Sequence, residues 1–69
     1  MSHSIQLRRL NLLAEQTKHS FIFSDLAEIS FITTARYRGF DKDLIDEVAV
    51  FYWPTGHTSH KIQALKKAG

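Results

Sequence analysis

The chain contains no cysteine, although it is only 69 residues long. Domains of this size bury only about 60% of the surface that their unfolded chains expose, and many depend on disulfides, a metal or a partner subunit for stability. Disulfides are excluded here, so one small core and self-association are the expected sources of stability. The sequence therefore predicts a single small domain over residues 1–69 that forms a homo-oligomer.

Composition excludes several classes of protein. With 43% hydrophobic and 23% charged residues, the chain is too hydrophobic to be an intrinsically disordered segment. Its longest apolar run, 48–53, falls far short of the roughly 20 residues that span a membrane. Arg8 and Arg9 interrupt the only apolar segment where a signal peptide would have its hydrophobic region. Because small secreted domains commonly carry disulfides, we expect a cytoplasmic protein without membrane contact.

Helical patterns and caps divide the sequence into four segments. Apolar residues recur at helical spacing over about residues 4–18 and again over 44–52. Gly39 followed by Phe40 is typical of a helix C-terminus, with the glycine in the left-handed conformation. Residues suited to cap the three later helices are Ser24 or Asp25, Asp41 or Asp43, and Thr58 or Ser59.

These signals predict an all-α fold, a small compact bundle of three to four short helices. The alternative is an α+β fold with short strands near 29–34 and 48–53, because those segments are rich in β-branched and aromatic residues. Periodicity alone does not assign such short apolar runs, so the alternative stays open at this stage.

Residues 23–40 carry the pattern on which a nucleic-acid-binding hypothesis rests. A helix-turn-helix unit needs a small residue in its first helix, an aliphatic residue and a hydroxyl around the turn, and apolar anchors in its recognition helix. The residues in those positions are Ala27, Ile32, Thr33, Tyr37 and Phe40. The segment thus resembles a helix-turn-helix DNA-binding unit, but Phe31 stands at the turn, where such motifs usually have glycine.

The resemblance implies a small DNA-binding regulator of the phage, plasmid or bacterial type. The net charge of the chain, +2, is modest for a nucleic-acid-binding protein, because the acidic segment 41–47 offsets the basic residues before and after it. The residues expected to contact phosphates or bases are Arg8, Arg9, Thr34, Arg36, Arg38, Lys61, Lys66 and Lys67.

A protein-interaction module, such as an inhibitor, an antitoxin or an assembly adaptor, is the alternative function. It would dock through an exposed apolar patch of Phe31, Tyr52 and Trp53, with Ile5 and Leu12 as further exposed aliphatics. Aromatic anchors of this kind dominate many protein interfaces. The partner is therefore DNA in the first hypothesis and another protein in the second.

No grouping of residues points to catalysis or to a bound cofactor. The three glycines lie far apart, so there is no phosphate-binding loop, and the acids at 41–47 line the polar side of a helix. His57 and His60 have the spacing of one helical turn, but zinc needs two further ligands and the chain has no cysteine. We expect no enzyme activity, no metal and no cofactor.

Overall fold

A computed structural model describes residues 2–58 and 61 as a bundle of three helices. They are α1 (Ser2–Ser20), α2 (Ser24–Tyr37) and α3 (Lys42–Tyr52), and each helix contacts the other two. The all-α prediction is confirmed, and the segments 29–34 and 48–52 lie within α2 and α3. Residues 57, 58 and 61 are also helical, whereas the rest of the predicted fourth helix lies outside the described residues.

Helix α1 extends two residues further at each end than the predicted segment 4–18. Leu10 and Ala14 on its predicted inner face are fully buried, and Leu13 packs against the core from the side. The Thr17 hydroxyl, which is also buried, donates a hydrogen bond to the Leu13 carbonyl oxygen at 2.7 Å. A buried polar group is therefore satisfied within its own helix.

Helix α2 ends in the turn that its sequence predicts. Gly39 has a φ of +84°. Its amide donates to the carbonyl of Arg36 at 3.0 Å, and the amide of Phe40 donates to that of Ala35 at 3.1 Å. This pair of bonds is a Schellman motif, and Phe40 folds back against the core as such motifs require. The start of α2 differs from the prediction: Phe23 is the cap residue and makes no side-chain cap bond.

Asp41 caps α3, as predicted. One of its carboxylate oxygens accepts hydrogen bonds from the amides of Asp43 at 2.9 Å and Leu44 at 3.4 Å. Its own amide donates to the Gln6 side-chain oxygen at 3.0 Å. The cap residue therefore also fixes the start of α3 against α1. The helix ends at Tyr52, and its C-cap residue Trp53 directly precedes the only proline.

The core combines a few large side chains with several alanines. Phe31 and Trp53 pack with their ring centroids 5.5 Å apart. Alanines contributed by all three helices leave room for the helix backbones to approach closely around these rings. The buried core residues are Leu10, Ala14, Ala27, Phe31, Ala35, Ile45, Val48, Ala49 and Trp53.

The helix-turn-helix arrangement is wrong, because α2 runs without a break through the position of the predicted turn. Phe31 lies in the middle of the helix and is completely buried. Thr33 is a helix-interior residue rather than a cap, and Tyr37 is 92% exposed rather than an anchor. Burial of the large Phe31 ring stabilises one continuous helix here, and a turn at this position would lose it.

Candidate interaction surface

The apolar patch expected from Phe31, Tyr52 and Trp53 is not on the surface. Phe31 and Trp53 belong to the core, and Tyr52 is half-buried beside it. The Trp53 indole Nε1 is buried and has no acceptor among the described residues. The patch prediction is wrong because the Phe31 and Trp53 rings pack against each other inside the bundle, with their centroids 5.5 Å apart. Ile5 and Leu12 are exposed, as expected.

A different apolar surface lies on the side of α2 that faces away from the core and on the residues just before it. We call it the outer face of α2. Its apolar members, with their exposed fractions, are Ile22 (95%), Phe23 (67%), Leu26 (52%), Ile29 (53%) and Tyr37 (92%). Thr33, also exposed, lies between them.

Two interleaved periodicities in one helix produce this surface. Ala27, Phe31 and Ala35 recur every four residues and face the core. At 100° per residue, Leu26, Ile29, Thr33 and Tyr37 fall within an arc of about 80° on the opposite side. These residues are separated by three, four and four positions, which is close to the spacing of the residues by which one helix packs against a partner helix. Helix α2 is thus apolar on two opposite sides, of which this bundle covers one.

The area of the outer face is large for so small a domain. At roughly 200 Å² for a large side chain, the exposed fractions correspond to about 700 Å² of apolar side-chain surface. The largest apolar patch on a typical monomer is about 300–600 Å². The summed exposure of these residues therefore exceeds what a typical monomer leaves in one patch.

Two opposite charges flank the outer face on the same side. Asp25 in the first turn and Arg36 in the last turn are both exposed. They are 11 residues apart, so they lie about 20° apart around the axis and about 16 Å apart along it. Each charge interacts favourably with the helix dipole, because a negative side chain is stabilising near the N-terminus of a helix and a positive one near its C-terminus.

The predicted nucleic-acid residues are divided between separate parts of the surface. Arg36 and Lys61 line one groove of about 360 Å³, together with Lys42, His57 and the acid Asp46. Arg9 and Arg38 line another, of about 400 Å³, between α1 and the end of α2. Arg8 lies along α1 and lines neither of these two grooves, and Thr34 is half-buried.

The remaining two predicted phosphate contacts, Lys66 and Lys67, lie outside the described residues. In the described part, seven Lys and Arg residues are balanced by seven Asp and Glu residues. The structure therefore brings Arg36 near Lys61 and Arg9 near Arg38, but it does not gather the predicted set into one basic face.

Glu28 is a structural residue that the sequence analysis did not identify as such. Its side chain is 1% exposed. Its carboxylate accepts hydrogen bonds from the backbone amides of His57 at 3.1 Å and Thr58 at 3.4 Å, where the chain becomes helical again. Gly56 allows this contact, since a Cβ there would collide with the carboxylate. In the sequence, Glu28 stands four residues before Ile32, which packs against the core, so both lie on the same side of α2. The partners of its carboxylate are 29 and 30 residues away.

The environment of Tyr52 joins α1 to α3. Burial raises the pKa of the Tyr52 phenol above its ordinary value of 10.0, and the nearby Glu15 carboxylate raises it further. On the same side, the Lys18 ammonium donates to the Tyr52 carbonyl oxygen at 3.4 Å. These contacts link α1 to α3.

The described part of the chain contains no group of three or more His, Asp or Glu residues placed to hold a metal ion. His60, one of the histidine pair considered above, lies outside that part. Among the helices described, none combines the length and the apolar character that crossing a membrane requires.

Comparisons with known proteins add no functional assignment. No protein-family model matches the chain, and neither the curated proteins nor the solved structures searched include a significant match. Conclusions about function therefore rest on the outer face of α2 and on the groove lined by Arg36, Lys42 and Lys61, which we call the basic groove.

Proposed function

We propose that the chain is a protein-interaction module that docks a protein partner through the outer face of α2. The observation that carries this proposal is the set of exposed apolar side chains at 22, 23, 26, 29 and 37, on one side of a helix whose other side forms the core. The module needs no catalytic group or cofactor, and the absence of cysteine favours a reducing compartment such as the cytoplasm.

Energetics favour an occupied outer face. Each large apolar side chain that is removed from water contributes about 1.5–3 kcal/mol when fully buried. Five such side chains therefore provide a gross contribution on the order of 10 kcal/mol, which exceeds the lower estimates of the cost of association. Tyr37 and Phe23 are of the residue types that act as hot spots or anchors in interfaces.

Site-specific photo-crosslinking in cells that encode the chain tests this proposal. A benzophenone amino acid replaces Ile29, which is on the outer face, or Gln16, which is exposed on α1 and serves as the matched control. We expect a discrete protein adduct from position 29 and no comparable adduct from position 16. Equal or absent adducts at the two positions would contradict the proposal.

Nucleic-acid binding is a second candidate, and the basic groove is the observation that favours it. Arg36, Lys42 and Lys61 come from α2, α3 and the segment after Pro54, with His57 beside them, and Asp46 is the one acid among the described residues that line the groove. Converging cations of this kind suit a phosphate group. Outside the groove, the described residues include six Asp and Glu but only four Lys and Arg, and this excess of acids makes the candidate the weaker of the two.

Fluorescence anisotropy with random-sequence duplex DNA tests the second candidate. If the groove binds phosphates, the affinity falls by orders of magnitude between about 50 and 200 mM salt. Lys42→Ala combined with Lys61→Ala then weakens binding, whereas Arg8→Ala, outside the groove, leaves it nearly unchanged. Absence of binding at low salt rules the candidate out.

A further inference from the structure

We infer that the partner on the outer face of α2 is a second copy of the same chain, packed with its α2 antiparallel across a two-fold axis. This inference rests on the proposed function, because it names the occupant of the same surface. The arguments for it are the distribution of charge around the surface, its area and its symmetry.

An antiparallel two-fold arrangement brings the two flanking charges together. When two identical helices face each other in this way, the same flank of each lies on the same side of the contact. If the axis passes near the middle of the helix, between Ile29 and Thr33, then Asp25 of one copy lies opposite Arg36 of the other. The symmetry produces this ion pair twice.

The apolar side chains match in the same register. Tyr37, which is 92% exposed, would lie over Phe23 and Ile22 of the other copy, at the opposite end of its helix. Ile29 would face Thr33 of the other copy, and Leu26 would lie between that copy's Thr33 and Tyr37. Each exposed apolar residue thus obtains an apolar or β-branched neighbour.

A parallel pair does not give the same result. The two-fold axis would then run along the helices and place opposite flanks side by side. Asp25 and Arg36 would remain about 16 Å apart along the contact and on different sides of it, so neither charge would gain a partner. The charge pattern therefore favours the antiparallel arrangement.

The available area matches the requirement of a specific dimer. The outer face offers about 700 Å² of apolar side chain per copy, and a standard interface buries about 800 Å² per partner. Polar residues at the edges, such as Ser30 and Arg36, supply the remaining area. A domain of this size also gains the additional buried surface that its own core cannot provide.

Charge reversal tests the inference on the full-length purified chain. Sedimentation equilibrium over about 1 µM to 1 mM covers the dissociation constants expected of such an interface. We expect a dimer, and we expect Asp25→Arg or Arg36→Asp alone to weaken it roughly ten-fold, because each places like charges opposite each other twice. An equimolar mixture of the two variants, and the double variant, should recover the wild-type affinity.

Weakening in each single variant, together with recovery both on mixing and in the double variant, is expected only where position 25 of one copy faces position 36 of the other. Circular dichroism of each variant confirms that it is folded, and Glu47→Arg, on the exposed side of α3, controls for a general effect of net charge. Variants that weaken the dimer without recovery on mixing would overturn the antiparallel arrangement.

The same measurements separate failure of this inference from failure of the proposed function. A chain that remains monomeric at about 1 mM overturns the inference. If position 29 nevertheless forms an adduct with a different protein in cells, the proposed function stands with another partner. If it forms no adduct, both are wrong.

Discussion

Replacing Glu28 by alanine should destabilise the chain severely, because its buried carboxylate is the acceptor for two backbone amides of the segment after Pro54. The substitution leaves the amides of His57 and Thr58 without that acceptor, and the contact at Thr58 is in a buried environment. A donor that loses its partner in such a place bears the cost of its desolvation.

The magnitude follows from the geometry of the two hydrogen bonds. A bond to a charged acceptor contributes about 1.5–3 kcal/mol, and the contact at 3.1 Å belongs in that range. The contact at 3.4 Å is longer and contributes about 1 kcal/mol. The expected loss is therefore about 3 kcal/mol, from a total that is about 3–10 kcal/mol for a chain of this length. Glu28→Gln keeps one acceptor oxygen and should lose about half as much.

Thermal and urea denaturation, followed by circular dichroism, measure this loss. A decrease of about 3 kcal/mol corresponds to a fall in Tm of about 12–24 °C. Glu47→Ala, which removes an exposed acid from α3, is the control and should change stability by less than about 0.5 kcal/mol. If Glu28→Ala matches that control, the carboxylate does not hold the segment and the reasoning is refuted.

Gly56→Ala provides an independent check on the same contact. The added methyl group would displace the Glu28 carboxylate, so the variant should lose part of the same free energy. The two substitutions should be non-additive, because once the carboxylate is absent the methyl group has nothing to displace. Additive losses would show that Gly56 acts through something else.

Three further predictions concern local features of the fold. Gly39→Ala should cost about 1 kcal/mol in urea denaturation, since a φ of +84° strains any side chain even though the space around it is open. Asp41→Ala should cost about 1 kcal/mol by the same assay, whereas Asp41→Asn, which can also cap, should cost less. Because the folded pKa of Tyr52 is raised by burial and by Glu15, stability should be highest below pH 10 and fall as the pH rises from 10 towards the folded pKa. Tyr52→Phe should remove that part of the fall and Tyr37→Phe should not, so equal pH profiles for the two variants would contradict the assignment.

The features that could be predicted from the sequence are those fixed by residues close together in the chain. The Asp41 cap and the turn at Gly39 and Phe40 depend on backbone groups within five residues, so their residue types identify them. The prediction of an all-α fold rested on these helix caps and turns. The same local reasoning gave the correct exposure of Ile5 and Leu12 on α1.

The features that could not be predicted depend on contacts across the bundle. Helix α2 has apolar residues on both sides, and nothing in its own sequence shows that Phe31 rather than Tyr37 faces the core. The partners of the Glu28 carboxylate, the amides of His57 and Thr58, are 29 and 30 residues away in the sequence, so no local pattern indicates them. Packing against the other helices decides which side of α2 is buried, because both sides are apolar. The fold of the whole chain likewise decides which amides reach Glu28.

Helix α2 has one side that forms part of the core and an opposite side, proposed above to bind the partner, that is exposed. Substitutions at 27, 31 and 35 alter fully buried positions and should be costly, whereas positions 26, 29 and 37 are at least half exposed and should tolerate substitution better within the monomer. Selection, or a designer, could therefore exchange the residues on one side and change binding specificity while the scaffold stays the same. After duplication of such a gene, reversal of the charges at 25 and 36 in one copy would be the simplest way to obtain two homodimers that do not form mixed dimers.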